Sequence, residues 1–239
     1  MIRLLQKRLK LLLDNACLRQ DWVKDRLKEI PPDSTLLDAG CGDQKYRPYC
    51  RHLQYYAQDF GAYVTDEKDS LTAGKSAYGY GPLDYVGNVW DIEEQDCFFD
   101  AILCTEVLEH IPYPNRAITE FSRLLKPGGL LILTVPANSL RHMDPYYFYS
   151  GFSDRYLEKI LMENRFQEAH IEPVGSYHAW LMVEAARCMR HEGLPALLAL
   201  WPGFIYHYLK QRSPSEKEVN SLCFGYWVTA RKGVGGQRG

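Results

Sequence analysis

The sequence predicts an α/β fold: a doubly wound, mostly parallel sheet of seven strands with helices on both faces. Three observations carry this reading. Short apolar runs that end in Gly, Asp or Pro alternate with amphipathic stretches of helical period. One run, Leu130–Val135, is apolar except for Thr134, as a strand buried on both faces reads. The strand candidate Thr35–Ala39 passes straight into Gly40-Cys41-Gly42, a turn at a strand's carboxyl end. Ligands of open α/β sheets sit at that edge.

Residues 2–30 place Leu4, Leu5, Leu9, Leu12, Leu13, Cys17, Val23 and Leu27 at three- and four-residue steps, which predicts a helix. Arg3, Lys7, Arg8 and Lys10 break the apolar centre that a secretory signal requires. The segment therefore reads as a cap over the fold, ended by Pro31-Pro32. Thr35–Ala39 is the first strand, and Gln54–Gln58 is the second, stopping at Asp59. Residues 61–84 show no period and read as a long loop. Tyr85–Val89 and Phe98–Cys104 are the third and fourth strands. Pro114–Leu125 is a helix with Ile118, Phe121, Leu124 and Leu125 on one face. Lys126-Pro127-Gly128-Gly129 reads as a stop and turn before the fifth strand, Leu130–Val135. Residues 153–163 are helical, Phe166–Val174 is a strand, 178–191 and 194–211 are helices, and Leu222–Ala230 is the last strand. The very apolar stretch 194–209 reads as core packing or a homodimer face rather than a membrane contact.

Composition narrows the function. The 239 residues are 46% hydrophobic, enough to offset chain entropy and exclude a disordered chain. The net charge of −2 lacks the basic excess of a nucleic-acid binder. Seven cysteines without a CxxC pair fit neither a disulfide framework nor a zinc cluster, so no metal is expected and the cytoplasm is the expected compartment. No apolar run reaches the roughly 18 residues of a membrane span.

The chemistry centres on Leu37-Asp38-Ala39-Gly40-Cys41-Gly42. Glycines at 40 and 42 let the backbone turn sharply and approach a ligand closely. A dinucleotide fingerprint would place a third glycine where Lys45 stands, and no GK[ST] follows, so neither a pyrophosphate loop nor a P-loop is present. Acids end the successive strands: Asp38, Asp59 and Asp91. Such a set suits a ligand with an amine, a ribose and an exocyclic amino group, and would repel a polyphosphate.

These pieces, with Asp91-Ile92, FFDAILCTEVLEHI at 98–111 and LLKPGGLLILTVP at 124–136, resemble the class I S-adenosylmethionine-dependent methyltransferases in order and spacing over residues 33–136. The resemblance implies a Rossmann-like sheet and S-adenosylmethionine as cofactor, with S-adenosylhomocysteine as product. It implies that Asp38, Gly40, Cys41 and Gly42 line the methionine part, that Asp59 binds the ribose hydroxyls with Phe60 beside the adenine, and that Asp91 and Ile92 meet the adenine. Cys104 and Thr105 would offer carbonyls, His110 would follow on the rim, and Tyr46 would make a contact after the glycine loop. Gln44 replaces the last glycine of the longer GxGxG form. The implied organisation is one domain, 1–232, made of a cap (1–32), a cofactor core (33–136) and an acceptor side (137–232), with 233–239 a disordered tail.

The acceptor side of such enzymes lies after the fifth strand. There, residues 138–149 carry Arg141, His142, Tyr146, Tyr147 and Tyr149 as candidate substrate contacts. His142 is the leading candidate for a general base and His110 the second. The segment also resembles a bacterial subgroup acting on small molecules or carbohydrate. The expected activity is therefore methyl transfer to an oxygen or nitrogen of a small molecule, such as a sugar or secondary metabolite. The alternative is a cofactor-binding protein that acts as a partner or scaffold.

Overall fold

The computed structural model describes residues 15–64 and 79–234. The predicted helical positions before Asn15, most of the 61–84 loop and the end of the tail lie outside the described residues. One seven-stranded sheet runs in the order β3-β2-β1-β4-β5-β7-β6. Its strands are β1 (Thr35–Ala39), β2 (Gln54–Asp59), β3 (Tyr85–Val86), β4 (Phe99–Thr105), β5 (Leu125–Pro136), β6 (Phe166–Val174) and β7 (Gly225–Lys232). The first five pair in parallel, and β7 lies antiparallel between β5 and β6. This is the predicted Rossmann-like, doubly wound architecture.

The two faces of the sheet follow from the two-residue period of the strands. Leu36, Leu103 and Ile132 face α1 (Asn15–Lys28), where Val23 and Leu27 are buried with Tyr46 and Cys50. Leu37, Ile102, Cys104, Leu131 and Leu133 belong to the opposite core, shared with α2 (Pro114–Leu124) and α3 (Asp154–Glu163). Pro114 opens α2 at its first turn, where a missing N–H does no harm, and Ala117, Ile118, Phe121 and Leu124 form its buried stripe. Ser153 caps α3 by accepting from the Tyr156 N–H. The described part of the N-terminal helix thus covers the fold as a cap, with Trp22 against Trp227 at 5.3 Å.

Three elements depart from expectation. Lys126-Pro127-Gly128-Gly129 does not stop the chain before the fifth strand. It lies inside β5 as a bulge, since Phe99 pairs with Leu125 while Ala101 pairs with Leu130. The third strand is two residues long because Gly87 follows at φ 150°, outside the range of a strand. A short helix, α6 (Glu216–Ser221), was not expected; Ser215 and Glu218 close it with a reciprocal capping box. Before it stand α4 (Tyr177–Glu192) and α5 (Leu194–Lys210), joined at Gly193. His178 of α4, hydrogen-bonded to His207 of α5 at 2.8 Å, ties them together.

Candidate functional site

At the carboxyl edge of the sheet the chain leaves β1 through Gly40 at φ 71° and Gly42 at φ 54°. A Cβ on Gly40 would stand 2.5 Å from a methyl of Val107, so the turn is closed to any larger residue. The amides of Gly40 and Cys41 both donate to the Gln58 carbonyl at 2.9 Å. The Asp59 carboxylate accepts from the Gly42 amide at 2.9 Å and from the Gly61 amide at 3.1 Å. Asp59 thus fixes the glycine loop from the neighbouring strand. A carboxylate has about four lone-pair positions, so capacity for a ligand's hydroxyls remains.

The loop opens onto a cavity of about 710 Å³. Gly40, Cys41, Gly42, Asp59, Phe60, Thr105, His110, His142 and Tyr146 all line it, so the structure brings these candidates together. Sequence reasoning missed Arg19 and Gln20 of α1, Gln58, Tyr63, the 87–90 turn, Glu106, Val107 and Phe148. Arg19 reaches the cavity by pairing with Glu106 at 2.9 Å. Phe60 and Tyr63 pack against Tyr146 at 5.1 and 5.9 Å, which gives that wall an aromatic surface. Burial pushes the Cys41 thiol well above its ordinary range, so it stays protonated and is no nucleophile.

The remaining candidates do not line the cavity. Asp91 is exposed and Ile92 is buried in the core, because the chain turns at Asn88–Asp91 and presents Asn88, Val89 and Trp90 instead. Arg123 then clamps the segment onto α2, donating to the Ile92 and Glu94 carbonyls. Cys104, the last residue but one of β4, buries its side chain in the core, and Tyr46 is buried beneath α1. Arg141 is exposed and spans both carboxylate oxygens of Asp144 at 2.8 Å. Tyr147 donates to the Ser139 carbonyl and Tyr149 to the Pro112 carbonyl, so both brace the acceptor loop. That loop is also held by the Phe148 and Tyr149 amides on the Glu109 carbonyl.

Asp38 lies behind the glycine loop, where the Tyr55 phenol donates to it at 2.6 Å. Burial raises its carboxyl to about 6, with the Tyr55 bond and Lys45 acting against that and the Asp59 charge adding to it. Between about pH 4 and 6 the folded state therefore keeps a proton that the unfolded chain has released, and this group's contribution to stability falls as pH rises. The shift corresponds to up to about 3 kcal/mol. Asp38→Asn removes it. The variant's stability relative to wild type, from urea unfolding, is expected to rise by that amount between pH 4 and pH 7. A difference that does not change with pH would contradict the assignment.

Across the cavity, the His110 Nδ1 faces the Tyr146 carbonyl at 2.7 Å and the His142 Nδ1 faces the Leu140 carbonyl at 2.8 Å. Both contacts require Nδ1–H, which leaves Nε2 as the basic nitrogen of each ring. The rings meet edge to face at 4.7 Å. The Glu109 carboxyl stands 3.6 Å from the His110 Nε2, with burial holding it well above the usual carboxylate range. Glu109, His110 and His142 each bring a ligand atom to within 4.8 Å of the others, a spacing that could hold a divalent cation. The sequence concealed this set, because only the loop after β5 carries His142 back to His110.

Comparison with known proteins bears on the same core. A family model described as a methyltransferase domain matches residues 7–187. Among curated relatives, a ubiquinone biosynthesis O-methyltransferase of Xanthomonas oryzae pv. oryzae (strain PXO99A) is 36% identical over 226 residues, covering 86% of this chain and 80% of its own. One of the same name from Xanthomonas axonopodis pv. citri (strain 306) is 29% identical over 213 residues, with the same coverage. The solved complex of a Haloferax volcanii putative methyltransferase with the Trm112 activator has a TM-score of 0.55 at 14% identity, covering 90% of both chains. A Haemonchus contortus phosphoethanolamine N-methyltransferase 2 with S-adenosyl-L-methionine has a TM-score of 0.52 at 17% identity, covering 90% of this chain and 52% of that one.

Proposed function

Because the chain belongs to the methyltransferase-domain family, and S-adenosylmethionine is its cofactor, we propose that it moves a methyl group to a hydroxyl oxygen of a small molecule held under the 138–149 loop. One observation carries this: a single cavity is lined both by the glycine loop and by the paired imidazoles of His110 and His142. The residues fit the cofactor. The cradle at Gly40 excludes any Cβ, and the buried carboxylate of Asp59 stands at the loop. Gly40 and Gly42 would hold its amino-acid end, Asp59 its ribose hydroxyls and Phe60 its base. When bound, it supplies an electrophilic methyl group on a sulfonium.

What remains for the protein is to hold the acceptor oxygen in line, exclude water and take the proton. The aromatic wall of Tyr63 and Tyr146 suits a flat, ring-bearing acceptor. The relatives named as O-methyltransferases favour oxygen over nitrogen. In this reading His142 Nε2 takes the hydroxyl proton. His142→Ala is expected to lower turnover by roughly 10²–10⁴ with cofactor affinity unchanged. Labelled methyl transfer to phenols, sugars and amines identifies the acceptor first. Undiminished turnover of the variant on that acceptor would remove His142 as the base. The free state of the seven cysteines supports a cytoplasmic setting.

The Glu109–His110–His142 set favours a second reading, in which these three residues would hold a divalent cation and the cation would supply Lewis-acid activation of an acceptor hydroxyl. Turnover that collapses on chelation and returns with magnesium or manganese would assign the set to a cation. Turnover indifferent to chelation leaves it to proton transfer.

A further inference from the structure

Two buried carboxamides tie the walls of the cavity to each other. Gln58 stands one residue before Asp59 in β2, in register with Ala39 of β1 on one side and Tyr85 of β3 on the other. Its side chain bridges the glycine loop that follows β1 and the turn that follows β3. Oε1 accepts from the Gly40 amide at 3.1 Å, and Nε2 donates to the Gly87 carbonyl at 2.7 Å. These partners fix the orientation of the amide, since the flipped group would set donor against donor and acceptor against acceptor. The Gly87 amide donates to the Asp59 carbonyl at 3.0 Å, so both backbone groups of Gly87 rest on the end of β2. From Gly87 the chain runs on into Asn88, Val89 and Trp90, which line the cavity.

Gln44 makes the second tie. It occupies the place of the last glycine in the GxGxG form, at φ 54°, where a residue with a Cβ is strained. Its buried side chain donates from Nε2 to the Pro82 carbonyl at 2.8 Å and accepts at Oε1 from the Arg47 guanidinium at 2.7 Å. The segment that forms β3 is therefore held to the glycine loop at both ends, by Gln44 at Pro82 and by Gln58 at Gly87.

We propose that Gln58, supported by Gln44, is a positioning residue for the cofactor. It sets the separation between the wall at Gly40, which takes the amino-acid end, and the wall at the 87–90 turn. This rests on the reading of the cavity as the cofactor's. A ligand that touches both walls makes its second contact within one molecule, and gains from it only when the walls stand at the right distance. A carboxamide suits the task, because one planar group accepts from an N–H and donates to a C=O. A carboxylate has no proton to donate, and an aliphatic side chain does neither.

The test is calorimetric titration with S-adenosylhomocysteine, which spans both walls, and with 5′-methylthioadenosine, which lacks the amino-acid end. Q58M fills the space without the hydrogen bonds. It is expected to weaken S-adenosylhomocysteine by at least about tenfold and methylthioadenosine by less than about threefold. A site that is only destabilised would lose both ligands alike. Q44G has no φ penalty, so it should show the same pattern through loss of the amide alone. If Q58M does not fold, Q58E decides. Its protonated carboxyl can accept from Gly40 and donate to Gly87, whereas its carboxylate sets oxygen against oxygen. Its affinity for S-adenosylhomocysteine relative to wild type should therefore rise as pH falls from about 8 to about 5. Equal losses of the two ligands in Q58M, wild-type affinity for both, or a Q58E ratio that ignores pH would overturn the inference and leave the cavity to the cofactor. Binding of neither ligand by folded wild type would remove the reading of the cavity and this inference with it.

Discussion

Gly40→Ala is expected to lower stability by roughly 2–4 kcal/mol and to abolish measurable cofactor binding, through strain and overpacking together. Gly40 sits at φ 71°, a conformation that a residue with a Cβ adopts only under strain. The new methyl would also fall 2.5 and 2.8 Å from the two γ-methyls of Val107. Valine is stiff at χ1, so it cannot rotate away cheaply. Either the loop moves or Val107 does, and both line the cavity. The double variant G40A/V107A separates the two costs: removing the γ-methyls should restore the part due to overlap and leave the part due to φ. Thermal melts with calorimetric titration of S-adenosylhomocysteine check both. A Gly40→Ala protein that binds and melts like wild type would show that the loop has room to spare.

Asp59→Ala should weaken cofactor binding by roughly 1–3 kcal/mol, or about five- to 150-fold, with a similar loss of stability. The carboxylate serves two amides here, on either side of the ligand edge: Gly42 in the glycine loop and Gly61 in its own turn. Truncation leaves both amides without this acceptor and removes the acceptor proposed for the ribose. Asp59→Asn keeps one oxygen, so it should retain much of the stability and lose more of the affinity. Unchanged affinity in both variants would take Asp59 out of the site.

Much of the fold was legible because the signals were local. Leu36, Leu37 and Leu131–Leu133 are apolar on both sides of the strand, as a covered sheet requires. The α2 stripe recurs at three- and four-residue steps. The glycine loop and Asp59 were legible because each ends a readable strand. What stayed hidden depends on geometry between segments. Gly128-Gly129 is turn-like in composition, yet pairing across β4 absorbs it as a bulge. Asp91 was placed at the cavity by analogy with Asp59, but β3 stops at Val86 and the turn after it presents Trp90 instead. Arg19 sits on a helix whose period shows a buried face without saying which turn overlooks the loop. The capping pair Ser215 and Glu218 was a readable sign of α6 that the short, polar segment obscured.

The central claim is that the cavity between the glycine loop and the 138–149 loop holds S-adenosylmethionine. Its most direct test is calorimetric titration of the folded protein with S-adenosylmethionine and S-adenosylhomocysteine, with NAD as control. The account expects saturable binding of the first two with one site per chain, no binding of NAD, and loss of affinity in Asp59→Ala. Binding of neither by folded protein, or binding that Gly40→Ala and Asp59→Ala leave untouched, would contradict it.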